Sequence, residues 1–474
     1  MPGSLRRLPR RVFEGFGYTT RSESVFAAPE SVDELREIYT RASEENIPVH
    51  HRGAGRSYGD AAMNAGGLIV DMRRMNRLLD FDPEDGIAET EPGFTIESLW
   101  KSILPHGYWP AVVPGTMFPT LGGCAAMNIH GKNHCQQGGF GDAIVNADLL
   151  TPAGELIRIA PDENKELFRA AISGFGMLGT FTRIKLRTKR VKSGSLRVQQ
   201  HPAANLREQL AFFEEHVDQS DYIIGWVDCI GGGSELGRGQ IHVANYLDEG
   251  PDALGLNPSD QALPKTIMGV PLGLVGTVVG MVQSNPGMHL ANWAKYMASK
   301  LGTKRPYHQA HVAFQFLLDY VPTFRDAYRP GGFIQYQPFI PREHALPVLE
   351  EILRRTQRAG LVSYLGVLKR YRPDEFLLSH ALDGYSLAMD FPVSRSNRVA
   401  LFALCGELSE IVLEAGGKFY PAKDSVMRPE DFSRSFGEDA VHRFQKMRRE
   451  VDPARILRSD FSLRVGLEAS TLPE

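Results

Sequence analysis

Glycine concentrated in a few polar loops is the feature that most constrains what this chain can fold into. Arg52-Gly53-Ala54-Gly55-Arg56-Ser57-Tyr58-Gly59-Asp60 stands between two short strand patterns, IPVHHR and GLIVDM. Its glycines let the backbone turn tightly and present successive N–H groups to an anion, and Arg52, Arg56 and Ser57 add donors for the same charge. Taken alone the loop also reads as a plain turn. It has company: Pro114-Gly115-Thr116 and Leu121-Gly122-Gly123-Cys124-Ala125-Ala126-Met127-Asn128-Ile129-His130-Gly131-Lys132-Asn133-His134 are two further places where backbone must approach something closely. A fourth segment, Gly174-Phe175-Gly176-Met177-Leu178-Gly179, is a literal GxGxxG. Its context rejects a Rossmann site, because a helix pattern precedes it and the β-rich TFTRIKLRT follows.

Around these loops the pattern is α+β. Ser31 caps a helix in which Val32, Leu35, Ile38 and Tyr39 recur at helical spacing, and Thr95 begins a second. The segments PGT, LGGCAAMNIHGKNH and NADLLTPAGELIRIA read as short strands joined by glycine loops, leading to a helix around ENKELFRAAISG and the strand TFTRIKLRTK. Near Ser193 the character changes to longer strands, LRVQQH, YIIGWVDCI and GQIHVANYL, as in an antiparallel sheet. GGFIQYQPFI, SYLGVLKRY and YSLAMDFPV continue it. A helix NRVALFALCGELSEIVLEAGG then leads to KFYPAKDS and a basic C-terminal helix.

Lys and Arg total 53 against 56 Asp and Glu, a formal charge of −3 that excludes a general nucleic-acid binder. The 4 cysteines lack paired spacing, so a disulfide scaffold is excluded and a reducing, cytoplasmic location is expected. No apolar region follows the N-terminal arginines, and the apolar run Ile267 to Val282 is broken by Pro271 and glycines, so neither export nor a membrane span is expected.

Taken in order, RGAGRSYGD, PGT, GGCAAMNIHGKNH and FGMLG before a strand resemble the vanillyl-alcohol-oxidase type of FAD-binding fold. GGFIQYQPFI, YLGVLKRY, MDFPV, YPAKDS and VDPARILRSDF extend the likeness, from about Val49 to Arg464, to the decaprenylphosphoryl-β-D-ribose 2-oxidase family. It is weakest between Pro202 and Gln309. The resemblance implies a bipartite FAD domain, residues 1–192 plus a C-terminal return, 418–474, around an inserted substrate domain, 193–417, built on an antiparallel sheet. By motif, Arg52, Gly53, Ala54, Gly55, Arg56, Ser57 and Tyr58 wrap the FAD pyrophosphate. Pro114, Gly115, Thr116, Gly122, Gly123, Met127, Ile129, His130 and Gly131 line the flavin, Gly176 and Gly179 touch FAD, and Tyr420 and Ala422 close the site.

Oxidation of a secondary alcohol by flavin needs a hydride path and a group that takes the hydroxyl proton. Lys423 is the first candidate for that group, against the alternative of a surface ion pair. Tyr58 is the second, as a relay beside a cation, and His130 lies in the motif beside flavin and substrate. Lys132, Gln335, Gln337 and Lys369, with Lys423, are the expected substrate contacts, the amides reading sugar hydroxyls and Lys369 meeting phosphate. His130, His134 and Cys135 also allow a metal reading, which Gly131 and the absence of a nearby acidic ligand disfavour. Many relatives in the wider fold attach flavin through a histidine where this chain has Arg56, so the FAD is expected to be non-covalent. Where the mycobacterial enzymes of this family carry a cysteine near the flavin this chain has Ala388, which rules out a mechanism, or an inhibitor adduct, that needs a thiol there.

The function so implied is oxidation of a sugar ring hydroxyl to a keto sugar, on a polyprenyl-phosphate-linked pentose, as half of a 2-epimerisation completed by a separate short-chain keto-sugar reductase. Two alternatives stand beside it: an oxygen-using alditol or aldonolactone oxidase, and a flavin-binding protein without turnover. The uncharged stretch Thr266 to Ala294 is expected as a flap that meets lipid peripherally.

Overall fold

A computed structural model describes residues 4–248, 255–264, 266–267, 270–271, 285–302, 305–321 and 324–468. Most of the expected flap, and all of 272–284, lies outside the described residues. Among the described residues, sheets of four, six, nine and two strands form. In the first, Val49–Arg52 and Leu68–Asp71 are parallel neighbours. The glycine loop of residues 53–67 therefore has to cross the end of the sheet between them. The second sheet is centred on Thr180–Arg190, which pairs antiparallel with Ile87–Thr90 and Ile144–Leu150.

The nine-stranded sheet carries the expected antiparallel pattern. Tyr307–Ala310, Ser195–Ala203, Gly239–Tyr246, Tyr222–Val227, Leu365–Tyr371, Gly384–Pro392, Pro338–Pro341 and Lys418–Phe419 follow one another in space, and Phe333–Tyr336 also pairs with Gly384–Pro392. One face packs on the helices Leu206–His216 and Ala345–Arg358. The latter buries Val348, Leu349, Ile352, Leu353 and Thr356, the stripe expected of a helix lying on a sheet. The opposite face carries the site and, over its far strands, the helix Asn285–Leu301.

The helices begin where side chains cap them. Ser31 Oγ accepts from Glu34 N at 3.2 Å ahead of Val32–Glu44, and Thr95 Oγ1 from Ser98 N at 3.0 Å ahead of Ile96–Ile103. Two segments depart from the sequence reading. Leu121–Ala126 is a short helix, not a strand, since Leu121, Cys124 and Ala125 are buried at helical spacing that the intervening glycines disguise. His134–Gln137 is helical as well. GGFIQYQPFI is two strands, Phe333–Tyr336 and Pro338–Pro341, interrupted where Pro338 has no N–H to give to a ladder.

The C-terminal return closes on the N-terminal sheet. Val49 N donates to Ile456 O at 2.7 Å, Arg458 N to Val49 O at 2.9 Å, and Tyr58 N to Ala422 O at 2.8 Å. Arg464 links Asp60 at 2.7 Å with Asp424 at 2.8 Å. One contiguous apolar core runs from Leu5 to Leu467. Among the described residues no helix is long and apolar enough to cross a membrane.

Candidate active site

A cavity of about 420 Å³ opens between the glycine loops and the free face of the nine-stranded sheet. Its loop side is formed by Gly53 to Ser57, Pro114 to Thr116, Gly122, Gly123, Met127, Ile129, Gly176 and Gly179. Gln335, Gln337, Lys369 and Ala388 project from the sheet, and His130, Lys132, Tyr420, Ala422 and Lys423 join the two sides. Segments far apart in sequence are held together by very close packing. A Cβ on Gly53 would stand 2.1 Å from Thr120 Oγ1, and one on Gly59 would stand 2.2 Å from Asp424 O. Gly55 has φ +64°, a left-handed conformation that suits glycine.

Three expected residues lie off the cavity wall. Arg52 turns beneath its loop, donating to Ala62 O at 2.8 Å and Glu14 O at 3.0 Å, so it braces the loop. Gly131 faces Asn133, whose Oδ1 would lie 2.4 Å from an added Cβ; this position serves backbone packing. Tyr58 is buried behind Lys423, with its ring packed against Phe16 and Phe333 and the Lys423 Nζ 3.7 Å from its centroid. Burial, then the charge of Asp390, pushes its phenol well above the ordinary range. Such a phenol keeps its proton, and its ring packs beneath the Lys423 ammonium or amine.

Lys423 is the centre of the site. Burial lowers its pKa and Lys369 lowers it further, while Asp390 pulls the other way. Asp390 is itself buried and shifted upward, and its Oδ1 accepts from Gln335 Nε2 at 2.5 Å. Both members of the pair are thus moved toward their neutral forms by loss of solvent. Gln335, expected to contact substrate, is engaged in holding Asp390.

Beside Lys423 lies His130, whose Nδ1 is 2.9 Å from the Tyr371 hydroxyl and 3.4 Å from Lys369 Nζ. Burial first, then Lys369, holds His130 well below the usual histidine range. On its other side the ring's Nε2 lies 3.5 Å from Gln337 Nε2, an amide nitrogen that donates and does not accept. Gln337 donates to Ser386 Oγ at 3.1 Å. Lys369 is pushed down to about 8 by burial. Lys132 reaches the carbonyls of Phe314 and Gln315, the latter at 3.2 Å, and its Nζ stands 4.4 Å from the Phe314 ring. Its side-chain nitrogen, which burial and then Lys369 shift well below the ordinary lysine range, fastens the Ile129 to Lys132 segment to the short helix His311–Gln315.

Asp390, Tyr371, Ser386 and His380 were not singled out from the sequence. Ser386, Ala388 and Asp390 alternate along one strand, so a register argument from Ala388 finds the other two. His380, packed against Tyr420 and Phe339, had no local signal. His134 is buried against Tyr371, and among the described residues no group of three His, Cys, Asp or Glu side chains is placed to hold a metal.

The lining fits FAD. It contains no carboxylate, presents glycine-bearing loops along one side, and carries Arg56, Lys132, Lys369 and Lys423. Arg56 Nε is buried without a partner among the described residues, a donor suited to a phosphate oxygen. Gly53 to Ser57 would hold the pyrophosphate, with Pro114 to Thr116, Gly122, Gly123 and Tyr420 around the ring system.

A model of the FAD binding domain matches residues 24–160. Decaprenylphosphoryl-β-D-ribose oxidase of Mycolicibacterium smegmatis is 32% identical over 96% of this chain and 97% of its own length. A protein of Streptomyces coelicolor is 27% identical over 79% of this chain and all of its own. Bovine L-gulonolactone oxidase is 28% identical over 42% of this chain and 44% of its own. The mycobacterial likeness extends through the sheet as well as the FAD-binding loops, and on that extent the chain belongs to the decaprenylphosphoryl-β-D-ribose oxidase family of FAD-dependent oxidoreductases.

Proposed function

We propose that this enzyme oxidises a secondary ring hydroxyl of a polyprenyl-phosphate-linked pentose to the keto sugar, as one half of a 2-epimerisation that a separate keto-sugar reductase completes. The observation that carries this reading is the cavity wall, which has Arg56, three lysines and two glutamine amides on its sheet side and no carboxylate. Such a wall favours a sugar bearing an anion over a neutral alditol. Bound FAD supplies the hydride acceptor. Lys423 takes the hydroxyl proton, which burial makes feasible by lowering its pKa, and Asp390 steadies the charge that results. The neutral His130 and Gln337 orient the sugar from the sheet side. Residues 1–192 and 418–474 are taken as the FAD-binding unit around a substrate unit of 193–417.

The outward face of the helix Asn285–Leu301, with exposed Leu290, Trp293 and Leu301, supports peripheral contact with a lipid surface. Co-sedimentation with anionic liposomes tests this: Trp293→Ser with Leu290→Ser should reduce binding severalfold, and unchanged sedimentation would remove the idea.

The function is tested by anaerobic flavin reduction. A polyprenyl-phosphoryl pentose should bleach the flavin absorbance, and Lys423→Ala should keep its FAD while slowing reduction by about 10²- to 10⁴-fold. Bleaching by free alditols alone would move the enzyme to the oxidases of soluble sugars. Flavin bound but reduced by no sugar would favour a protein without turnover.

A further inference from the structure

The sheet face that carries Lys369 continues beyond the cavity. Val367 and Lys369 alternate on one strand and both line it. Trp226 stands opposite Val367 on the next strand, and His242 opposite Ile224 on the strand after that. Ile224 also lines the cavity. Side chains two residues apart, or directly opposite across a ladder, share a face, and neighbouring strands are about 4.8 Å apart. Trp226 and His242 therefore extend the substrate surface by one and two strands.

The helix Asn285–Leu301 lies over this extension and turns a cation into it. Asn292 Nδ2 donates to Asp228 Oδ1 at 2.8 Å, and the Arg238 guanidinium lies 5.3 Å from the Tyr296 ring centroid. Residues 292, 295 and 296 thus form the inner face, and Lys295 Nζ stands 3.9 Å from the Trp226 ring centroid. Among the described residues Lys295 makes no hydrogen bond. Asp228, the carboxylate whose field reaches it, is already held by Arg238 Nε at 3.0 Å and by Asn292. Burial pushes Lys295 down to about 8. His242 is pushed down to about 3 by burial, with Lys295 and then Lys132 adding to the effect. Lys369 and Lys132 line the cavity and Lys295 stands beyond them on Trp226, a track of basic side chains along this face.

Two lysines on that track are already engaged, Lys132 with backbone carbonyls and Lys369 with His130. We propose that Lys295, standing on Trp226 with His242 beside it, forms an anion subsite that receives the phosphoryl group of the substrate while the sugar lies at Lys423. Its ligand class is a phosphate ester, held by a charge-assisted hydrogen bond from the ammonium and by the imidazole N–H. This deepens the lipid-linked-sugar reading and rests on it for the identity of the whole substrate.

Decyl phosphate and decyl riboside, titrated separately into the FAD-loaded protein by calorimetry, test the subsite. Lys295→Gln should weaken decyl phosphate about tenfold, the loss of one charged hydrogen bond, and leave decyl riboside unchanged. Lys295→Arg should restore most of the affinity, and His242→Gln should weaken the phosphate by a smaller factor. FAD content and thermal midpoint are recorded for each variant, and His242→Gln decides the matter if Lys295→Gln does not fold. Wild-type phosphate affinity in the deciding variant, equal loss of both probes, or no binding of decyl phosphate to wild type would overturn the subsite. The substrate reading fails separately, when a polyprenyl-phosphoryl pentose leaves the wild-type flavin oxidised even though decyl phosphate depends on Lys295.

Discussion

At the scale of the residue, reactivity comes from moving charged groups out of water. Lys423 is depressed by burial, and the neutral amine needed to accept a proton exists only above its folded pKa. Flavin reduction should therefore rise with pH and level off with a midpoint below 10.5, the ordinary lysine value. Asp390→Asn removes the charge that opposes the depression, so the midpoint should move to lower pH. A pH profile of the anaerobic rate checks both, and a midpoint indifferent to Asp390→Asn would argue against the pair. Arg56 makes a different prediction. Its guanidinium cannot form the flavin bond that a histidine forms, so acid precipitation should leave the flavin in the supernatant; yellow colour retained in the pellet would refute non-covalent binding.

Among the elements, the loops are fixed by what they touch. A Cβ on Gly53 would stand 2.1 Å from Thr120 Oγ1, at the cap of the helix Leu121–Ala126. Gly53→Ala should force these two cavity walls apart, lowering stability by about 1–3 kcal/mol and reducing FAD content, read by thermal unfolding and absorbance. The glycines of that loop were plain in the sequence, but their partner was not, because Thr120 is remote along the chain. The same holds for Leu121–Ala126: three buried positions at helical spacing were present, and the glycines between them suggested a loop-and-strand pattern instead. SYLGVLKRY and YSLAMDFPV were legible as strands of the sheet, but it took their register to bring Lys369 opposite Ser386.

For the whole molecule, the C-terminal return completes a site begun at the N-terminus. Arg464 holds Asp60 and Asp424 together, one from the first glycine loop and the other directly after Lys423. Arg464→Met would leave both carboxylates without their cation, Asp424 keeping only its backbone donors, at a cost of about 3 kcal/mol. A fall in thermal midpoint with loss of FAD is expected; an unchanged midpoint would show that the tie contributes little. The sequence by itself determined the α+β character, the glycine loops and the FAD motifs, and marked Lys423 as the candidate base, because local propensity, turn chemistry and motif order are written in neighbouring residues. Only the tertiary structure decided that Arg52 braces its loop, that Tyr58 lies under Lys423, that Lys132 fastens a helix, and that the charge of Asp390 acts on Lys423. Those assignments depend on which side chains share a buried space, and burial brings together residues hundreds of positions apart whose charges then set one another's state.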